Sequence, residues 1–241
     1  MTLPKRLSRS RLELFLACPG CFWLDLRAQV RQPSGPPYNL NSAVDHLFRN
    51  EFDAYRGGDV VPPRLRAAGL TCIPAAHPDL ARWRHNFTGV TRRHTSTHLE
   101  LFGAIDDLWQ GSDGRFHVVD YKATSRQAAL SIDAEWQRAY KRQVEFYQWL
   151  LRGNGLDVSP RAYFVYANGI RDARPFDDVL RFETRIFAYD GDDAWVEPAI
   201  DRALACLLME TPPASSPACD FCAYVSAVGA ARAAPRTGQL F

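Results

Sequence analysis

A chain of 241 residues with 46% hydrophobic and 23% charged side chains can enclose one substantial core and has the composition of an ordinary globular domain. Its formal net charge of +2 excludes a strong whole-molecule field for holding nucleic acid, so such a partner needs a local basic face. No stretch approaches the roughly 20 apolar residues of a membrane-spanning helix; the sequence reads as cytoplasmic, without a membrane partner, and its six cysteines are not expected as disulfides.

In chain order, "MTLPKRLSRSRLELFLACPGCFWLDL" places basic residues before an apolar run, as an export signal does. Glu13 interrupts that run and no small-residue cleavage site follows cleanly, so the segment reads as a helix with Ser10 and Glu13 forming a capping box. The proline-rich residues 31–41 lead into a second helix, "SAVDHLFRNEFDAYR", and residues 57–80 read as loop. "STHLELFGAIDDLWQ" alternates as a strand, "GSDG" turns, and "RFHVVDYKAT" returns as the second strand of a hairpin. A long helix follows in "DAEWQRAYKRQVEFYQWLLRGNG", with helical spacing through Trp136, Tyr140, Val144, Tyr147 and Leu151 and glycines at its end. Two strands, "RAYFVYANG" and "VLRFETRIFAY", precede a helix, "DDAWVEPAIDRALACLLME". Residues 1–226 read as one domain and 227–241 as a flexible Ala-rich tail ending in "TGQLF", loosely similar to peptides that dock on sliding clamps. No GxxxxGK phosphate loop is present.

The hairpin carries the charges that call for explanation. Asp120 and Lys122 are two residues apart on a strand, so both project to one face. They are either a surface ion pair worth about 0–1 kcal/mol or a metal ligand beside a charge stabiliser. Asp106 and Asp120 stand symmetrically about residue 113. A three-residue loop makes them opposed cross-strand partners with Cβ atoms about 4.5–5.5 Å apart, whereas a two-residue loop shifts the register. Carboxylates that close repel, so one is protonated or a cation lies between them, and oxygen ligands suit Mg²⁺ or Mn²⁺. On the following helix Gln143 and Tyr147, at i and i+4, share a face bordered by Arg138, Lys141 and Arg142.

"GAID", then "DYK", then a helix bearing "QVEFY" resemble, in order, the motifs of the PD-(D/E)XK nuclease superfamily, and most of all its RecB-like branch with iron-sulfur-type cysteines. The likeness runs from "CPGCFW" to "CDFCAY". It implies an α/β fold with a restriction-endonuclease-like core, a mixed central sheet flanked by helices. It also implies Mg²⁺- or Mn²⁺-dependent cleavage of DNA, of the exonuclease type on single strands or ends. Asp106 and Asp120 would then be metal ligands with the backbone carbonyl of Tyr121. Lys122 would orient the attacking water and offset phosphate charge, and Gln143 and Tyr147 would hold the geometry and touch nucleic acid. The family's further metal-binding histidine has two counterparts in "NSAVDHLF": spacing selects Asp45 and identity selects His46.

Cys18 and Cys21 form one CxxC pair and Cys219 and Cys222 another. Four thiolates suit tetrahedral zinc or a [4Fe-4S] cluster, and either would staple the chain's two ends across a long loop. The resemblance favours iron-sulfur, yet Val228 stands where a further late cysteine is expected, leaving Cys21 or Cys206 to replace it. Cys72 reads as a small apolar residue. Residues 82–98 mix Arg82, Arg84, Arg92 and Arg93 with Trp83 and Phe87, a composition suited to phosphate contact and base stacking or to a solvated helix and loop. Two rival readings stay open. One is a non-cleaving nucleic-acid-binding module serving a helicase or other DNA repair protein; the other is a structural metal or redox protein.

Overall fold

The structure, a computed structural model, describes residues 3–127, 129–172 and 177–233. A short strand β1 (Arg6–Ser8) turns into helices α1 (Arg9–Ala17) and α2 (Pro19–Trp23), the latter extended by a π-helical turn, and then α3 (Asn39–Asp53). Helix α4 (Pro63–Ala67), strand β2 (Ile73–Pro74) and helix α5 (Leu80–Trp83) precede strands β3 (Val90–Arg93), β4 (Glu100–Gly103), β5 (Asp107–Gln110) and β6 (Phe116–Thr124). Helix α6 (Arg138–Gly153), strands β7 (Arg161–Gly169) and β8 (Phe182–Asp190), and helices α7 (Val196–Leu208) and α8 (Asp220–Ala233) complete the order.

Strands β2-β5-β6-β7-β8 form a mixed sheet, antiparallel except where β6 and β7 run parallel. A parallel pair needs a long crossover, and α6 lies within it. Strand β7, "RAYFVYANG", is buried along almost its whole length, as a strand covered on both faces must be. A second sheet has the order β1-β4-β3. Helix α6 joins the two: its Val144, Phe146 and Leu150 share one core with Val118 and Phe164 of the large sheet and Leu7, Val90 and Leu101 of the small one. On the other face of the large sheet, α3 lays Val44, Phe48 and Phe52, at helical i, i+4, i+8 spacing, against Trp109 and Tyr121. Ring centroids of Phe48 and Tyr121 are 5.2 Å apart and those of Phe52 and Trp109 5.1 Å. The α/β architecture with a mixed sheet flanked by helices is thus the expected one.

The hairpin register pairs Asp107 with Val119 and Gln110 with Phe116, symmetric about residue 113. The loop has three residues, and Gly114 takes the left-handed conformation (φ 82°) that such loops require at their last position. The strand before it, however, is two strands in different sheets. β4 ends at Gly103, where a Cβ would lie 2.6 Å from the Tyr147 ring, and the chain crosses to begin β5 at Asp107. Asp106 sits in that crossing and not in the ladder, so it is not the cross-strand partner of Asp120.

Other local expectations are also revised. Ser8, the last extended residue before α1, is its N-cap, accepting from the Arg11 N–H (3.3 Å). Ser10 and Glu13 form no capping box; Glu13 instead accepts from Arg142 Nε of α6 at 3.0 Å. Residues 57–80 contain α4 and β2. Residues 227–233, read as tail, continue α8, while "TGQLF" lies outside the described residues. Among the described residues no helix is long and apolar enough to cross a membrane.

Candidate functional site

Strand β6 delivers Asp120 and Lys122 to the α6 side of the sheet, while Val119 and Tyr121 face α3. Asp120 is 0% exposed, and neither of its oxygens accepts a well-aligned hydrogen bond; the Lys122 ammonium meets the carboxylate as an ion pair. Burial raises Asp120 to about 6, the Asp106 charge adding to the rise and Lys122 opposing it. Burial disfavours the Lys122 cation, but the Asp120 and Asp106 carboxylates outweigh it and hold that ammonium above its ordinary range. Its Nζ also lies 4.6 Å over the Tyr140 ring of α6.

The crossing between sheets aims Asp106 at the end of β6. One oxygen accepts the Tyr121 backbone N–H at 3.0 Å and the other accepts from Arg49 Nη2 at 3.3 Å. An extended residue's N–H and C=O leave the strand on the same side, so the Tyr121 carbonyl points along the Asp106 edge, past the start of β5. Helix α3 turns Asp45 toward this group. Burial and the Asp106 charge raise Asp45 to about 6, against the pull of Lys122 and Arg49. His46, one residue on, is exposed. The helix therefore brings Asp45 to the cluster and leaves His46 outside it.

On α6, Gln143 Nε2 donates to the Tyr147 hydroxyl at 3.2 Å. Burial raises the Tyr147 pKa, with Asp106 and Asp120 contributing and Arg9 opposing. These residues and Asp106 open onto a cleft of about 340 Å³ that is also lined by Ser8, Arg9, Asn86 and Phe102. The carboxylates of Asp45, Asp106 and Asp120 do not converge within 4.8 Å of one another, because Asp106 is turned to Arg49 and Tyr121 and Asp120 to Lys122. The donor set nevertheless fits a hard divalent cation: hard oxygen donors around a buried carboxylate that has one ammonium and no further partner for its oxygens among the described residues.

Sequence reasoning missed Arg9, Arg49, Asn86 and Phe102. Arg49 was findable, being one helical turn after Asp45; the others reach the cleft from elements remote in sequence. In residues 82–98, left between phosphate contact and a solvated helix and loop, most of the basic side chains have acidic partners. Arg84 pairs with Asp53 and Asp107, Arg92 with Glu197, Arg82 with Asp79, and Trp83 is buried. Arg93 and Phe87 stay exposed.

The four cysteines of the CxxC pairs converge as a second centre. Their sulfurs all lie within 4.8 Å of one another, with Cys21–Cys222 at 3.3 Å, Cys21–Cys219 at 3.7 Å and Cys18–Cys222 at 3.8 Å. Among the described residues this is the group of three or more potential ligands that gathers so closely. Gly20 permits the approach, since a Cβ there would meet the Pro213 carbonyl at 3.0 Å. Burial works against the Cys18 thiolate, yet hydrogen bonds from the Cys21 and Ser216 backbone bring its pKa down to about 7. Cys206 is buried and donates to the Pro19 carbonyl, outside the tetrad. All six cysteines are free of disulfides.

The sequence matches the family model described as "PD-(D/E)XK nuclease superfamily" over residues 37–227. No curated protein matches the chain. A solved structure titled "Crystal structure of SSO0001" is similar over 88% of this chain and 80% of its own, with 13% identity and a TM-score of 0.46. The matched segment covers most of the chain and contains Asp106, Asp120, Lys122, Gln143 and Tyr147; the protein belongs to the PD-(D/E)XK nuclease superfamily.

Proposed function

We propose that this chain is a Mg²⁺- or Mn²⁺-dependent deoxyribonuclease of the RecB-like type, acting on single strands or ends within DNA repair, with a helicase as a fitting partner. The observation that carries this reading is Asp120: a fully buried carboxylate whose sole partner among the described residues is the Lys122 ammonium, close to Asp45 and to Asp106, which lines the open cleft. A buried anion so placed is costly unless a cation compensates it. When bound, the divalent ion would polarise the phosphate and make water a better nucleophile. Asp120, Asp106 and the Tyr121 carbonyl would hold it, with Asp45 as the added oxygen ligand, after Asp106 releases Arg49. With no cation on them, the carboxylate neighbours of Lys122 hold its ammonium protonated. Its role is to orient the attacking water and to neutralise charge developing on the phosphate. Gln143 and the Tyr147 hydroxyl position that water and a phosphate oxygen, and Arg9 adds positive charge at the cleft.

For the cysteine centre, sulfur spacing supports one tetrahedral ion over a cubane. Thiolates about 2.3 Å from a single zinc stand roughly 3.8 Å apart by tetrahedral geometry, close to the 3.3–3.8 Å pairs, whereas a cluster places each thiolate on a different iron and spreads them. Zinc is therefore favoured over [4Fe-4S]. Aerobic protein carrying one zinc and no sulfide supports this; brown anaerobic protein carrying iron and sulfide defeats it. Either way, Cys222→Ser should lower thermal stability and metal content together.

The function is tested with labelled single- and double-stranded DNA in Mg²⁺, Mn²⁺ or EDTA. Metal-dependent cleavage by wild type, strongly reduced in Lys122→Ala, is expected. If wild type binds DNA but never cuts it, the non-cleaving module is correct.

A further inference from the structure

The small sheet β1-β4-β3 shows one face to the core and the other to solvent, and the outer face begins at the catalytic cleft. Leu7, Val90 and Leu101 point inward and are fully buried. By strand alternation, Arg6, Ser8, Thr91, Arg93, Glu100 and Phe102 point outward. The register stacks them in two rows across the strands: Ser8–Phe102–Thr91 next to the cleft, and Arg6–Glu100–Arg93 beyond it. Phe102 and Ser8 line the cleft that contains Asp106. Arg6, Arg93 and Glu100 line a second groove at the end of the sheet, which Lys5, next before Arg6 and on the Leu7 row, and His98 also border together with the apolar Leu3, Leu204 and Leu208. The two are joined by contact, since the Arg6 guanidinium lies 4.3 Å over the Phe102 ring. Glu100 pairs with Arg6, while Lys5 and Arg93 are exposed and form no ion pair among the described residues. The face thus has an aromatic centre, a guanidinium plane stacked on it, and positive charge beyond the cleft.

Resting on the nuclease reading, we infer that this outer face is the track for the substrate strand: a single nucleic-acid strand leaves the cleft across Phe102 and Arg6 toward Lys5 and Arg93. Aromatic rings and guanidinium planes both stack bases without regard to sequence, and a positively charged groove follows the phosphates. The rows from Gly103 to Glu100 cover three residue steps, roughly 10 Å of strand, enough for a short run of nucleotides.

The test measures binding of fluorescent oligodeoxynucleotides to the intact chain in EDTA, so that cleavage plays no part. For wild type, affinity should rise as the strand is lengthened from about 2 to about 6 nucleotides and level off beyond, as a track of roughly 10 Å requires. In a Lys5→Ala/Arg93→Ala variant that gain should fall about tenfold, and the salt dependence should weaken by about 0.7 per lost phosphate contact. Phe102→Leu should weaken binding of the longer strands several-fold, and Phe102→Trp, which restores a stacking face, should recover it. Both lysine and arginine positions are exposed, so folding is not at stake. The same length gain and salt slope in the double variant, or equal binding by the leucine and tryptophan variants, would overturn the track. Wild type that neither binds nor cuts any strand would instead overturn the nuclease reading.

Discussion

Two aspartates on this hairpin are 0% exposed, and they have opposite surroundings. Asp107, on the α3 face, accepts from Arg56 Nη2 at 2.8 Å, Arg84 Nη2 at 2.7 Å, the Tyr121 hydroxyl at 2.6 Å and the Leu108 N–H at 2.7 Å. Asp120, on the α6 face, accepts from none and meets one ammonium. Both are equally dry, so burial alone does not mark a site; the difference lies in compensation. Asp107 ties α3, α5 and the hairpin together, whereas Asp120 is a destabilised anion held in place by the packing around it, as groups reserved for a ligand are.

The comparison can be broken most forcefully at Asp107. Removing one member of a buried ion network leaves the others uncompensated, so Asp107→Ala should cost about 3–5 kcal/mol in denaturant unfolding. A small change there would mean that the network is not structural. Next in size is Lys122→Ala, expected to lower the cleavage rate about 10²–10³-fold while circular dichroism shows the fold retained. If instead it unfolds the protein, Lys122 belongs with Asp107 in the scaffold.

A smaller change is expected for Asp120→Asn. In metal-free protein at pH 7.5 it removes an ionised carboxylate whose pKa folding has raised but leaves the buried Lys122 ammonium without its partner, and because the two oppose each other stability should stay within about 1–2 kcal/mol of wild type. Added Mn²⁺ should raise the melting temperature of wild type and leave this variant unmoved; an equal rise in both would remove Asp120 from the ligand set. The same raised carboxylates set a pH dependence. Asp120 and Asp45 ionise near 3.8 when unfolded and about 6 when folded, so between those values the native state binds more protons. Their contribution is therefore full below pH 4 and lost as pH rises through 6. Subtracting the Asp120→Asn stability curve from that of metal-free wild type should isolate a decline of up to about 3 kcal/mol in this window. A flat difference would mean that Asp120 is not strained.

Much of the hairpin was legible because strand alternation and turn chemistry are local. The three-residue loop with Gly114 sets the register, and Asp120 and Lys122 share a face for the same reason. The switch of sheet at Ala104–Asp106 was not legible. "HLELFGAIDDLWQ" alternates without a break, and the interruption comes from Tyr147, 44 residues after Gly103, filling the space that a side chain there would occupy. Nor could the string "IDD" show which aspartate is scaffold and which borders the site, since Arg56 and Arg84, which decide it, come from α3's C-terminal turn and from just after α5. The choice between Asp45 and His46 rested likewise on the rotation of α3, which its Val44, Phe48 and Phe52 stripe fixes against Tyr121.

What the residues themselves determined is the set of local devices: the turn, the shared face of Asp120 and Lys122, the i, i+4 pair Gln143 and Tyr147, and two CxxC pairs able to take a metal. Their chemistry depends on neighbours a few positions away, and spacing carries it. The tertiary structure alone decided compensation: which buried charges find partners, which thiolates meet across nearly the whole chain, and which sheet face is left open beside the cleft. Those outcomes depend on packing between distant segments, and desolvation, which makes an unpaired charge costly, exists only once the core has closed around it.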